Sequence, residues 1–380
     1  MKKTVLVFLL CNAAFAYAQP SLFELKKEFN IVTVDSSHIA FPDVAMLKNG
    51  GLMVVYREGG DHYETGRLMK TFSNDNGDSW SIPEILYDDP IFDDRDPSIT
   101  VLRSGEVLLT FFKYIRGKKD SIPGNHQVYT AISKDNGKTF SEPVPIGKAP
   151  LVVERSYIKN NSFWTDAKGK PVTVEAVSSP VIEVGEYLYL ATYSGTPLYY
   201  TDKDKMLSPN TEIYVYRTKS NVIKWQLLSK LNFPQDVWVS EPFLFSISEN
   251  HFMMHIRSGE KTPFARGSLW QTESKNGGKN WSKSHSIDVV GHAPYLHRLQ
   301  EKTLISAFRL VDYDAMTLKT AYIISQDMGK TWSEPIIFLD CGKEECGYPS
   351  IVDLDNEHFL VVYYCDDAKT IKGEIFKKIF

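Results

Sequence analysis

The chain has 380 residues, a formal net charge of −4, and 43% hydrophobic and 24% charged residues. A mildly acidic balance of this kind argues against a basic nucleic-acid partner, and beyond the first residues no apolar run is long enough to span a bilayer. Aromatic residues, at 13%, suit tight packing and sugar stacking alike.

Residues 1–18 read as a secretory signal. Lys2 and Lys3 form the basic start, Val5 to Leu10 the apolar stretch, and Ala16-Tyr17-Ala18 a small-x-small cleavage site. The expected product is an exported periplasmic or secreted protein covering residues 19–380, with no membrane span. Cys11 leaves with the signal. An odd set remains, Cys341, Cys346 and Cys365. A Cys341–Cys346 bridge and a set of buried thiols both fit it.

The first predicted strand is Phe29–Val34. Six apolar hairpins follow, each marked by a proline: Pro42, Pro97, Pro180, Pro242, Pro294 and Pro349. Their turns fall at Asn49-Gly50, Ser104-Gly105, Gly185-Glu186, Glu249-Asn250, Glu301-Lys302 and Asn356-Glu357. Proline at the first position of a strand needs no ladder hydrogen bond, so the prolines are expected at strand starts. The long gap between Phe140 and Pro180, which holds Arg155-Ser156-Tyr157, reads as an extra hairpin or loop.

An eight-residue phrase recurs between hairpins. Ser73-Asn74-Asp75-Asn76-Gly77-Asp78-Ser79-Trp80 returns from Ser133 to Phe140, from Ser274 to Trp281 and from Ser325 to Trp332. Gly takes positive φ without steric cost, Asn or Asp before it tolerates the same region, and Ser and Asp side chains can lock a turn. A calcium loop is the alternative, but the Glu ligand is missing at the EF-hand spacing. A phrase repeated at long intervals marks a repeat architecture.

This phrase resembles the Asp box of the sialidase superfamily. The resemblance implies an all-β fold: a six-bladed β-propeller of four-stranded antiparallel blades, the ring closed by the N-terminal strand. It covers the chain from about residue 29. Blades share one closed core, so a single domain is expected despite the length, and a monomer.

In such a ring the proline-marked segments and the ends of the return strands meet at a central mouth. That places Asp43, Arg95, Asp96, Glu241, His292 and Tyr348 there, with Arg57, Arg257 and Arg309 from the return strands. Four arginines near one axis need an anionic partner, and Arg is the best fork for a carboxylate. The expected partner is a glycan with an acidic sugar.

The resemblance also implies roles. Gly347-Tyr348-Pro349-Ser350 is similar to the segment carrying a tyrosine nucleophile, and Ser240-Glu241-Pro242 with Arg257 to the segment carrying its glutamate partner and a clamp arginine. Arg309 is the second clamp. Asp61, with His62 and Glu64 beside it, matches the loop that carries the acid/base, and Asp43 and Asp96 are rivals for that role. The pattern breaks on the first inner strand, where Ala40-Phe41-Pro42 stands for Arg-Ile-Pro. Arg57 and Arg95 are candidates to compensate.

The implied activity is that of a retaining exo-glycosidase. A glycosidase for another sugar, a lyase acting on uronate polymers and a glycan-binding module without catalysis remain as alternatives. No cofactor and no metal are expected: His292 and His297 lack zinc-ligand spacing, and neither a phosphate loop nor a serine nucleophile elbow is present.

Overall fold

The computed structural model describes residues 22–62, 65–90, 92–114, 127–146, 154–158, 161–165, 174–195, 211–234, 237–260 and 267–379. The signal-like segment and Glu64 lie outside them. Among the described residues there is no helix. Six antiparallel sheets form the blades of a propeller, each running from an inner strand outward.

Blade 1 runs His38–Met46, Leu52–Gly59, Gly66–Ser73 and Glu84–Tyr87. Blades 2, 4 and 5 repeat the plan from Asp93–Val101, Val237–Ser246 and Gly291–Arg298. In blade 3 the inner edge is split into Val174–Ala176 and Ile182–Val184, both paired with Tyr187–Gly195. Blade 6 takes three strands from the end of the chain and its outer strand, Phe23–Thr33, from the beginning. The ring therefore closes as the sequence implied, with a closing strand that starts six residues earlier than read. A separate hairpin pairs Glu154–Ile158 with Asn161–Thr165 in the long gap.

Why the blades stack follows from the second strands. In Leu52–Gly59, Leu52, Val54 and Tyr56 pack in one cluster with blade 6, and Met53 and Val55 between them pack in another with blade 2. Successive side chains face opposite sides of a strand, so a strand apolar at every position serves two interfaces. Burial of each such side chain stabilises by roughly 1.5–3 kcal/mol.

The four repeated turns lie at the outer rim, between third and fourth strands. In each, the Ser hydroxyl accepts the glycine N–H four residues on, at 2.8 Å for Ser73 and Gly77 and 2.7 Å for Ser325 and Gly329. The Asp or Asn oxygen accepts the amide four residues after it, as Asp75 does from Ser79 at 2.9 Å. Gly137 has φ +79, and a Cβ there would lie 2.5 Å from Met53 Sδ on the neighbouring blade. The phrase thus locks turns and wedges each one against the preceding blade.

The expectation for the prolines is corrected. Pro42, Pro97, Pro242, Pro294 and Pro349 sit inside the inner strands, at register shifts such as Ala40/Asp43 and Gly347/Ser350. A bulge leaves its residues out of the ladder, so proline costs no hydrogen bond there. Cys341 and Cys346 are disulfide-bonded, and Cys365 is a buried free thiol.

Candidate active site

At each bulge the residue before proline has a left-handed backbone: Phe41 (φ 56), Asp96 (φ 47), Glu241 (φ 48), Ala293 (φ 48) and Tyr348 (φ 53). Non-glycine residues rarely adopt this region, and a following proline restricts them further. Such strain costs about 1–3 kcal/mol per residue and gathers where function requires it. Four of the five, Phe41, Asp96, Ala293 and Tyr348, line one small axial cavity together with Pro42, Pro97, Pro180, Pro294 and Pro349. The bulges therefore converge on the mouth.

Blades 4, 5 and 6 build one half of it. Tyr348 Oη donates to Glu241 Oε1 at 2.7 Å, Arg257 Nη1 donates to the same oxygen at 2.8 Å, and the Ala293 amide donates to Oε2 at 2.9 Å. The Arg309 guanidinium lies 4.8 Å over the Tyr348 ring. It donates to the Cys346 carbonyl and the Tyr364 hydroxyl. A Cβ on Gly347 would stand 2.8 Å from Arg309 Cβ, so the residue before the tyrosine must be glycine. Burial, and then the charge of Glu241, push the Tyr348 phenol well above its ordinary pKa. The resting tyrosine is a neutral phenol with an acceptor already in place for its proton.

His292 closes this half, 3.1 Å from Tyr313 Oη. Burial and the charges of Arg257 and Arg309 hold its pKa well below the ordinary value, so the ring is neutral. Tyr193, from the second strand of blade 3, also belongs here: burial, and then the charges of Asp96 and Glu241, raise its pKa.

Blades 1 and 2 build the other half, and here the sequence reading is corrected. Arg57 is 0% exposed. Its Nε donates to Asp93 Oδ1 at 2.7 Å and its Nη2 to the Asp61 carbonyl at 3.1 Å. Gly59 and Gly66 make room, since a Cβ on either would fall within 2.8 Å of the guanidinium. An enclosed arginine committed in this way does not face a substrate. Asp93, also 0% exposed, turns its Oδ2 to Arg95 Nη1 at 3.0 Å. Arg95 donates in addition to the His62 carbonyl at 3.1 Å and lies 4.9 Å over the Phe41 ring. So Phe41 occupies the mouth at the blade where the sialidase pattern has its missing arginine, and the four arginines divide into two pairs.

Asp61 is exposed in the turn after Leu52–Gly59, and His62 beside it is half-buried. Asp96 is buried under Arg95, whose Nε is 3.8 Å from its Oδ1. Burial raises its pKa to about 7, against the pull of Arg95. Asp43 lines the same axial cavity, and its carboxyl is engaged with the frame. It accepts Ser350 Oγ at 2.5 Å and the Ile99 amide at 2.7 Å, tying blade 1 to blades 6 and 2 beneath the mouth.

Glu345 was not found from sequence. His38 Nε2 lies 3.1 Å from its Oε2, His62 Nδ1 lies 3.2 Å from its Oε1, and Tyr364 Oη donates to Oε1 at 2.8 Å. Burial works against its charge, but the bonds from His38 and His62 and the charge of Arg309 hold its pKa well below the ordinary range. Two histidines and a glutamate suggest a metal centre, and the surroundings do not fit one. The second nitrogens face Arg57 and Arg95, each at 3.4 Å, where metal ligands normally meet carboxylates or carbonyls. Arg309 stands 3.8 Å from the carboxylate. Tyr193 and Tyr364 lie near the ends of the second strands of blades 3 and 6; nothing in the sequence marks Glu345 or Asp93.

Several solved structures share the fold. A protein of unknown function from Dyadobacter fermentans DSM 18053 superposes with a TM-score of 0.73 at 18% identity, over 94% of this chain and 100% of that one. The Hadza microbial sialidase Hz136 gives 0.64 at 16% identity, over 90% of this chain and 66% of its own length. The α-L-arabinanase of Penicillium chrysogenum, complexed with arabinobiose, gives 0.61 at 13% identity, over 93% and 98%. At these identities the likeness is one of fold. No curated protein matches the chain. The family model described as the BNR repeat-like domain matches residues 88–361, and the chain belongs to that family.

Proposed function

We propose that the protein is an exported carbohydrate-active enzyme, a retaining exo-glycosidase acting on a terminal acidic sugar. The observation that carries this reading is the Tyr348–Glu241 hydrogen bond of 2.7 Å, set between Arg257 and Arg309. A carboxylate nucleophile would repel an anionic sugar, and a neutral tyrosine would not. Sialidases are the class of glycosidase that uses a tyrosine in this way.

In the first step Tyr348 Oη bonds to the anomeric carbon and passes its proton to Glu241. The bond from that carbon to the leaving oxygen breaks, and Asp61 donates a proton to the departing oxygen. In the second step water, deprotonated by Asp61, attacks the same carbon. Tyr348 leaves and recovers its proton from Glu241. Two inversions give retention. Arg257 and Arg309 hold the acidic substituent, and Asp96, carrying a proton up to about pH 7, donates a hydrogen bond to a sugar hydroxyl.

The arabinanase and the sialidase share this fold, so the sugar is chosen by the mouth and not by the scaffold. A panel of aryl glycosides of sialic acid, hexuronic acids and neutral sugars tests the class. Fluorinated glycosyl fluorides of the best substrate should label the peptide containing Tyr348. Turnover of acidic substrates with labelling at another residue would overturn the assignment of nucleophile, and glycan binding without turnover would favour a binding module.

A further inference from the structure

In the Arg57–Asp93–Arg95 group Arg57 and Asp93 are 0% exposed, and burying such charges is expensive. Buried ion pairs repay their desolvation only with excellent geometry, and are weak evidence for stability alone. What the group does hold is backbone. Arg57 Nη2 binds the carbonyl of Asp61 at 3.1 Å, and Arg95 Nη1 binds the carbonyl of the next residue, His62, also at 3.1 Å. Asp93 joins the two guanidiniums through its separate oxygens, at 2.7 and 3.0 Å. On the other side the His62 ring meets Glu345 at 3.2 Å, so the turn is tied to blade 2 and to blade 6 at once.

We propose that Arg57, Asp93 and Arg95 are positioning residues that fix the turn carrying Asp61 and thereby place its carboxyl against the leaving oxygen. The inference rests on the reading of Asp61 as the acid/base. An exposed turn is ordinarily mobile, and general acid catalysis depends on placement to a fraction of an ångström. Two adjacent carbonyls clamped by charged donors supply that placement, because hydrogen bonds from charged groups are stronger than neutral ones. Gly59 and Gly66 belong to the same device, since any side chain on either would displace Arg57.

The group's signature is dependence on the leaving group. A misplaced acid hurts substrates whose departing oxygen needs a proton and spares those that leave as stable phenolates. Asp93→Asn, which keeps shape and removes charge, should lower kcat/KM about 10- to 100-fold for aryl glycosides of high-pKa phenols and less than about 3-fold for those of dinitrophenol. Gly66→Ala, which pushes Arg57 aside without removing a charge, should give the same pattern if Asp93→Asn fails to fold. Equal losses for all leaving groups, or none, would overturn the proposal. Hydrogen exchange of the peptide spanning 59–66 gives a readout independent of turnover: faster exchange in Asp93→Asn supports the anchor, and unchanged exchange overturns it. Tyr348→Phe serves as the control for the wider reading. Full turnover in that variant removes the proposed mechanism while the exchange result still decides the anchor.

Discussion

The Tyr348 hydroxyl reaches across the axis from blade 6 to Glu241 on blade 4, 2.7 Å away and 107 residues distant in sequence. The same carboxylate takes a second bond from Arg257 and a third from the Ala293 amide. It is held on both oxygens and cannot rotate away from the phenol. Tyrosine and glutamate thus act as one unit.

Units of this kind lose activity non-additively. Tyr348→Phe should reduce kcat by about 10³-fold or more, Glu241→Gln by about 10²- to 10³-fold, and the double variant no further than the worse single one. Steady-state kinetics on the best aryl glycoside would check this. Multiplying losses would show that the two residues act separately.

Arg257 and Arg309 border the tyrosine, and their side chains are 16% and 11% exposed. Arg309→Ala should raise KM for an acidic sugar about 10- to 100-fold, the loss of one charged hydrogen bond. KM for the matching neutral sugar should change little. An equal effect on both would mean that the arginine supports Tyr364 and Cys346 and does not bind the substrate.

Asp43 gives a pH dependence of defined sign. Burial raises its pKa from 3.8 to about 7, against hydrogen bonds from Ser350 and the Ile99 and Val44 amides. Between these values the folded protein keeps a proton that the unfolded chain has released. The stability linked to this group is complete at low pH and declines as pH rises through that window, by at most about 1.4 kcal/mol per pH unit. Asp43→Asn removes the dependence. Denaturant unfolding at pH 4 and pH 7 should therefore show the variant gaining on the wild type as pH rises. A constant difference would place the Asp43 pKa near its ordinary value.

The rim turns carry stability without chemistry. Ser325 is 1% exposed and its hydroxyl serves both the Gly329 amide and Asp327. Ser325→Ala should cost about 1–3 kcal/mol, since a buried amide loses its acceptor, and leave KM unchanged. A changed KM with unchanged stability would contradict the division between rim and mouth.

The ring was legible in the sequence because its signals are local. A glycine turn, a closing aromatic and a proline each act within a few residues. The half-site at Tyr348, Glu241, Arg257 and Arg309 was legible for the same reason, with each residue beside a marked proline or at a strand end. Arg57 was misread because sequence shows a charge and not its depth: only two glycines and Asp93, from another blade, decide that it is enclosed. The bonds that engage Asp43 come from Ser350 and the Ile99 amide on other blades, and no local pattern records them. Glu345 and His38 come together through a contact spanning 307 residues, which no local pattern records.

The strained backbone at the five bulges has a consequence for how such a protein changes over time. One posture presents Phe41, Asp96, Glu241, Ala293 and Tyr348, side chains with nothing in common in size or charge. The posture belongs to the bulge and its proline, not to the residue displayed. A single codon change at any of these positions alters what the mouth offers while the frame that offers it stays fixed. The ring is a socket that accepts new contents without being rebuilt.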